Sequence, residues 1–292
     1  MNKTVNIIMI VLLSIVTIAV TIFFIYLITG HQFNWNFNFS FNNYSENLIE
    51  SKELNSISQI NVDVKNSDIF VEHSDNNKII VELYSDNKVD HKIEADNDIM
   101  NIKYYDNEAF NFFKRKDKVL IKIPESYSNK LTIKSSTGDI KMQSFNNLSP
   151  SIVLGTGDLK ADLLNDLEVD LTTGDIKIGN LNSINCKHVT GDVRIDKANN
   201  VIVHSTTGDI KINEVDSYLD ITLTTGDVKI NNANIKEDSN VKITTGDIKI
   251  SNCTGAYIEA TNNVGDVKVN NNDRTLEKTL KLSNHVGDIR VN

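Results

Sequence analysis

Nine Gly-Asp dipeptides recur along this chain, with glycines at Gly138, Gly157, Gly174, Gly191, Gly208, Gly226, Gly246, Gly265 and Gly287. Successive spacings are 19, 17, 17, 17, 18, 20, 19 and 22 residues, and these nine account for most of the 13 glycines present. The surrounding chemistry repeats with them. An aliphatic residue stands two places after each glycine (Ile140, Leu159, Ile176 and onward to Ile289), and a second apolar residue four places after (Met142, Ala161, Ile178 and onward to Val291). Lys or Arg fills the place between, from Lys141 to Arg290, and a further apolar column runs five residues before each glycine. Alternation of period two with β-branched enrichment predicts strands. Glycine, which tolerates positive φ, supplies the turn between them.

Each repeat therefore reads as strand, Thr-Gly turn, strand and short connection, with Phe145, Leu164, Leu181, Ala198, Val215 and Ala233 expected as corner fillers. One such coil of about 17 residues buries about five apolar side chains, roughly 10 kcal/mol. Fixing its backbone costs roughly 17–34 kcal/mol. A lone coil cannot fold, whereas stacked coils share hydrogen bonds and cover each other's apolar edges. The expected fold is all-β, a β-solenoid (β-helix) of stacked coils of about 17–20 residues, preceded by one N-terminal transmembrane helix.

That helix is read from Val5 to Ile28, a stretch without a charged residue. At ~1.5 Å per residue it is long enough for a ~30 Å hydrocarbon core. Lys3 precedes it and the next basic residue is Lys52, so the positive-inside rule leaves the N-terminus cytoplasmic and exports the remainder. The expected location is the cell membrane, with a single span and an extracytoplasmic C-terminal domain. Next come Phe33, Trp35, Phe37, Phe39 and Phe41, alternating with Asn or Ser. They suit either an interfacial aromatic belt or a strand packed on the exported domain. The expected domains are residues 1–30 (N-terminus and anchor), 31–53 (juxtamembrane), 54–130 (irregular first coils or a cap) and 131–292 (regular array). Within the irregular part, Ser67-Asp68-Ile69 reads as a degenerate copy of the turn.

Strands ending in KVLIKIP, followed by TTGDIKI-type repeats, make residues 55–292 resemble an adhesin-type, β-strand-repeat family of unknown function found in bacterial envelope proteins. The resemblance implies a β-helical fold, frequently membrane-anchored, and carries no catalytic residues with it. Val264 and Val286 depart from the pattern, replacing the threonine that precedes glycine in the first seven repeats.

Candidate sites are few. The aspartates Asp139, Asp158, Asp175, Asp192, Asp209, Asp227, Asp247, Asp266 and Asp288 form one column, each with Lys or Arg two residues on. They are expected as an outward, self-neutralised charge ladder, with hydrogen bonds to turn amides as an added role. A calcium ladder is the alternative, although calcium needs six to eight oxygens. His188 is expected as a hydrogen-bonded core residue in a column with Leu171 and Leu223, and Cys186 and Cys253 as buried free thiols too far apart to bridge. No catalytic, cofactor-binding or metal site is assigned.

A net charge of −9 gives no basic footprint for nucleic acid. The run Lys114, Arg115, Lys116 and Lys118 reads as a solvated loop. The functional expectation is a structural, adhesion-like or binding module of the envelope, not an enzyme. Its expected partners are membrane lipid through the anchor and an envelope polymer or membrane protein. Alternatives are an accessory component of envelope-stress sensing and a β-helical carbohydrate-active enzyme. Stacking in sequence order would leave the coil ending at Asn292 exposed, either frayed and charged or paired end to end with another molecule.

Overall fold

Apolar residues two apart line one face of a strand, and in this chain each such strand pairs edge to edge with the same segment of the next repeat, so that like residues line up in continuous columns. A computed structural model describes residues 47–85, 91–104, 117–270 and 272–292. The chain divides into two units, Met1–Asn42 and Asn43–Asn292, and all described residues belong to the second. The expected anchor, the aromatic run, and Lys114, Arg115 and Lys116 lie outside the described residues. No helix among the described residues is long and apolar enough to cross a membrane.

The described chain is all-β, and the array is a β-solenoid. Segments upstream of the glycines pair in parallel and in register, with Thr137, Thr156, Thr173, Thr190, Thr207, Thr225 and Thr245 forming one continuous column. Downstream segments stack likewise, Ile140 on Leu159 on Ile176 on Val193 on Ile210 on Val228 on Ile248. Inward columns are dry: Ile176, Val193, Ile184, Val201 and Val203 are fully buried, as are the corner fillers Phe145, Ala198 and Val215. Full burial of each such side chain contributes about 1.5–3 kcal/mol. Where the spacing is shortest, one strand runs through the corner, as in Ile176–Thr190 and Val193–Thr207.

Residues 48–123 supply both coils and a cap. They hold β1 (Leu48–Leu54), β2 (Gln59–His73), β3 (Ile79–Tyr84), β4 (His91–Asp96), β5 (Ile99–Tyr104) and β6 (Asp117–Ile123). β2 is a full coil, with Ile69 on Ile140 and Asn66 on Thr137. β5 and β6 stack in parallel on its other side, although they follow it in sequence. Beyond them β4 pairs antiparallel with β5, β3 with β6, and β1 with β3, so the parallel stack ends in antiparallel strands. β1 begins at Leu48 and pairs with β3 through Leu54.

The other end departs from sequence order in the same way. Ser239–Thr245 and Ile248–Thr254 pair with Lys278–Val286 and Ile289–Val291. Those two strands pair in turn with Ala256–Val264 and Val267–Val269. The last coil in sequence is thus inserted between the two before it, and the exposed edge belongs to residues 256–269. This corrects the expectation that the coil ending at Asn292 lies open. Repeats with the same inward pattern are interchangeable as stacking partners, so spacing alone did not fix their order. The returning connection crosses the end of the stack, where Asn272 bonds both the N–H and the C=O of Ile258 at 2.8 Å.

Candidate binding face

The glycine turns set the geometry of the outward columns. Gly138, Gly157, Gly174, Gly191, Gly208, Gly226, Gly246, Gly265 and Gly287 have φ between +123° and +142°, where L side chains are strained. A Cβ on Gly174 would sit 1.9 Å from the Gly157 carbonyl oxygen, so only a hydrogen fits between adjacent turns. Ser67 fills this place in β2 without a positive φ, and its coil still stacks in register.

The next residue builds a ladder. The backbone N–H of each aspartate donates to the Oδ1 of the aspartate one coil earlier, at 2.8–3.0 Å throughout. The order is Asp68, Asp139, Asp158, Asp175, Asp192, Asp209, Asp227, Asp247, Asp288 and then Asp266, which follows the spatial sequence of coils. One carboxylate oxygen per coil is thereby committed to holding the next coil. Among the described residues no group of three or more His, Cys, Asp or Glu comes together as a metal site.

Two residues on, the basic column is exposed in every Gly-Asp coil, whereas the coil of Asp68 has Phe70 there. Arg194 and Arg290 reach back to Asp192 and Asp288 at 2.7 and 2.6 Å. Lys160, Lys177, Lys211, Lys229, Lys249 and Lys268 make no ion pair among the described residues, and Lys141 lies 5.5 Å over the Phe70 ring. Among the described residues the charge ladder is therefore closed by ion-pair contact only at its two arginines. Side-chain amides extend the pattern: Asn213 donates to Asp196 at 2.8 Å, Asn231 to Asn213 at 3.0 Å, and Asn252 to Asn232 at 2.9 Å. The downstream outer face is thus a periodic array of carboxylate, ammonium or guanidinium, and amide, repeating at the strand spacing of ~4.8 Å.

His188 is buried, with Nε2 donating to the Gly174 carbonyl at 2.8 Å and Nδ1 3.2 Å from the Ser205 hydroxyl. A pattern that sequence reading missed surrounds it: Ser135, Ser205 and Asn284 occupy the same inward column three residues before glycine and are also buried. Asn284 and Asn262 donate to the carbonyls of Gly246 and Gly287 at 2.7 and 2.6 Å, as His188 does to Gly174. The available signal was a polar residue in an otherwise aliphatic column.

Cys186 and Cys253 are free; Cys186 is buried and Cys253 half-buried. Cys253 is less covered than expected because the coil stacked over it pairs only along Ile248–Ile250. Burial pushes the Cys186 thiol up to about 12, helped by the Asp170 charge, and the Cys253 thiol up to about 11. Among the surface depressions is one of about 140 Å³ on the upstream face, lined by Ser151, Val153, Glu168, Asp170, Asn185 and Lys187. Lys118, at the edge of the basic run, lies 4.0 Å over the Tyr84 ring.

Sequence comparison then places the molecule. The family model described as Toastrack DUF4097 matches residues 57–292, both the irregular first coils and the regular array. The chain belongs to the Toastrack DUF4097 family. Among solved structures, a "putative adhesin" from Bacteroides fragilis is 18% identical, with 85% of this chain and 98% of that chain covered and a TM-score of 0.46. A "putative adhesin" from Parabacteroides distasonis is 14% identical, covering 85% and 99%, with a TM-score of 0.46. A "putative lipid binding protein" from Parabacteroides distasonis is 15% identical, covering 85% and 99%, with a TM-score of 0.42. No curated protein matches the sequence. The Toastrack match begins at Ile57, close to the first residue of β2, and so includes the coil carrying Ser67 and Asp68.

Proposed function

We propose that this chain is a membrane-anchored, extracytoplasmic binding module without enzymatic activity, and that it engages an extended envelope polymer along its downstream outer face. The observation that carries this reading is the periodic column of exposed lysines beside carboxylates already committed to the ladder. Such a face offers the same donors to each successive unit of a repeating polymer. Many weak contacts in register then add through effective concentration. The uncharged stretch Val5–Ile28 supports the anchor, and the charge asymmetry about it supports export.

Retention of the full chain on immobilised envelope glycans tests the binding claim. The triple variant Lys177→Ala, Lys211→Ala, Lys229→Ala is expected to weaken retention markedly while leaving the β-rich circular dichroism unchanged. Equal retention of variant and parent overturns the assignment of this face. Release of cleaved product, lost on Glu168→Gln or Asp170→Asn, would overturn the non-enzymatic reading. Labelling of a Thr207→Cys variant on intact cells by an impermeant maleimide tests the topology, and protection of that residue from the outside would refute export.

A further inference from the structure

The end of the stack is unfinished in a specific way. In each earlier Gly-Asp coil the glycine N–H and the N–H two residues on donate to the next coil, as with Gly246 to Val286, Ile248 to Asp288, Gly287 to Val264 and Ile289 to Asp266, all at 2.9 Å. Gly265 and Val267 have no following coil among the described residues, and Asp266 holds no later amide with its carboxylate. Side chains tell the same story. Ile248 and Ile289 are fully buried in the column where Val267 is 47% exposed. The two positions at which valine replaces the turn threonine, Val286 and Val264, fall in the last two coils in space and are 39% and 58% exposed. Val267–Val269 carries no proline, and its one charge is Lys268, which leaves it short of the devices that usually block an open edge.

We propose that two copies of this chain associate through this edge, Val267–Val269 pairing antiparallel with the same strand of the second copy about a two-fold axis at Val267. Three observations select a second copy. The opposite end closes in the antiparallel strands β1, β3 and β4, so it offers no Gly-Asp turn for a head-to-tail contact. A like-with-like junction is the closed alternative. The backbone parity suits it, because the outward N–H of Val267 meets the outward carbonyl of its own copy. The charges also complement: centred on Val267, Asp266 faces Lys268 of the second copy and Lys268 faces Asp266, while the inward valines continue the dry column across the junction. Asn272 covers Ile258 on the neighbouring strand, and no bond among the described residues covers the outward N–H of Val267.

The test is a charge-reversal cycle on the full chain in detergent, read as dimer fraction against concentration by sedimentation velocity. Lys268→Asp sets Asp against Asp at two symmetric places. Each cross-strand pair is worth a few-fold, so the association constant is expected to fall about 2- to 30-fold. Adding Asp266→Lys to that variant recreates both pairs in swapped order and is expected to restore association. Asp266→Lys leaves the ladder intact, because the Asp266 N–H, not its carboxylate, holds it to Asp288. A chain that stays monomeric at every concentration overturns the proposal. So does a dimer indifferent to Lys268→Asp, which would place association elsewhere, or a double variant that fails to recover.

Discussion

Replacing Gly191 by alanine tests the turn argument at the centre of the array. Its φ is +134°, and a Cβ there would lie 2.1 Å from the Gly174 carbonyl oxygen, which is backbone and cannot rotate away. Holding an L residue in that conformation costs about 1–3 kcal/mol. Relieving the overlap requires the two turns to part. That loosens the Gly174 N–H bond to the Thr190 carbonyl (2.9 Å), the Ile176 N–H bond to the Asp192 carbonyl (2.8 Å) and the ladder bond from the Asp192 N–H to Asp175 (2.9 Å). At about 1 kcal/mol per bond, the total with the strain is about 4–6 kcal/mol. Because each coil touches only its neighbours, the damage is expected to be local. Hydrogen exchange by mass spectrometry should show faster exchange across residues 174–208 and unchanged protection in β2. Thr190→Ala, one residue away and exposed, is the control, with an expected effect below about 0.5 kcal/mol. Equal exchange in the two variants would refute the claim that the turn excludes a methyl group.

Further outcomes follow from neighbouring positions. Asp175→Ala should cost about 1 kcal/mol by removing the acceptor for the Asp192 amide, whereas Asp175→Asn keeps an oxygen there and should cost less; urea denaturation distinguishes them. His188→Leu should be tolerated better than His188→Ala, because leucine already occupies this column at Leu171 and Leu223, while alanine leaves a cavity costing about 2–4 kcal/mol. At pH 8 both thiols should resist labelling in the folded protein, since their raised pKa values hold them protonated. As the pH rises, half-buried Cys253 should react before Cys186. Rapid labelling of Cys186 in folded protein near neutral pH would contradict its burial.

The solenoid itself was legible, because glycine spacing, alternation and corner fillers all point to one coil geometry. Cys186 follows the alternation fully: five residues before Gly191 it had to face inward, and it lies between Val169 and Val203 in register. Asp68 shows a partial success, since the degenerate turn was visible but its place as the first rung of the ladder was not. The order of coils at the two ends was not legible, for a physical reason. A coil recognises its neighbour through backbone bonds and aliphatic columns that are the same in every repeat, so pattern cannot say which repeat stacks on which. The 22-residue spacing before Gly287 and the adjacent Val264 and Val286 were the traces of that rearrangement. The candidate face was legible as residue types, but not the fact that six of its lysines make no ion pair among the described residues while its arginines fold back, since that depends on side-chain reach.

In the aspartate ladder, donor and acceptor are supplied by the same residue type at the same offset. An added rung would present to both neighbours what the removed neighbour presented, so a whole repeat can be duplicated or deleted in the middle of the array without redesigning its surroundings. Length is therefore the property this architecture can vary most freely, and chains of this design can be lengthened one segment at a time.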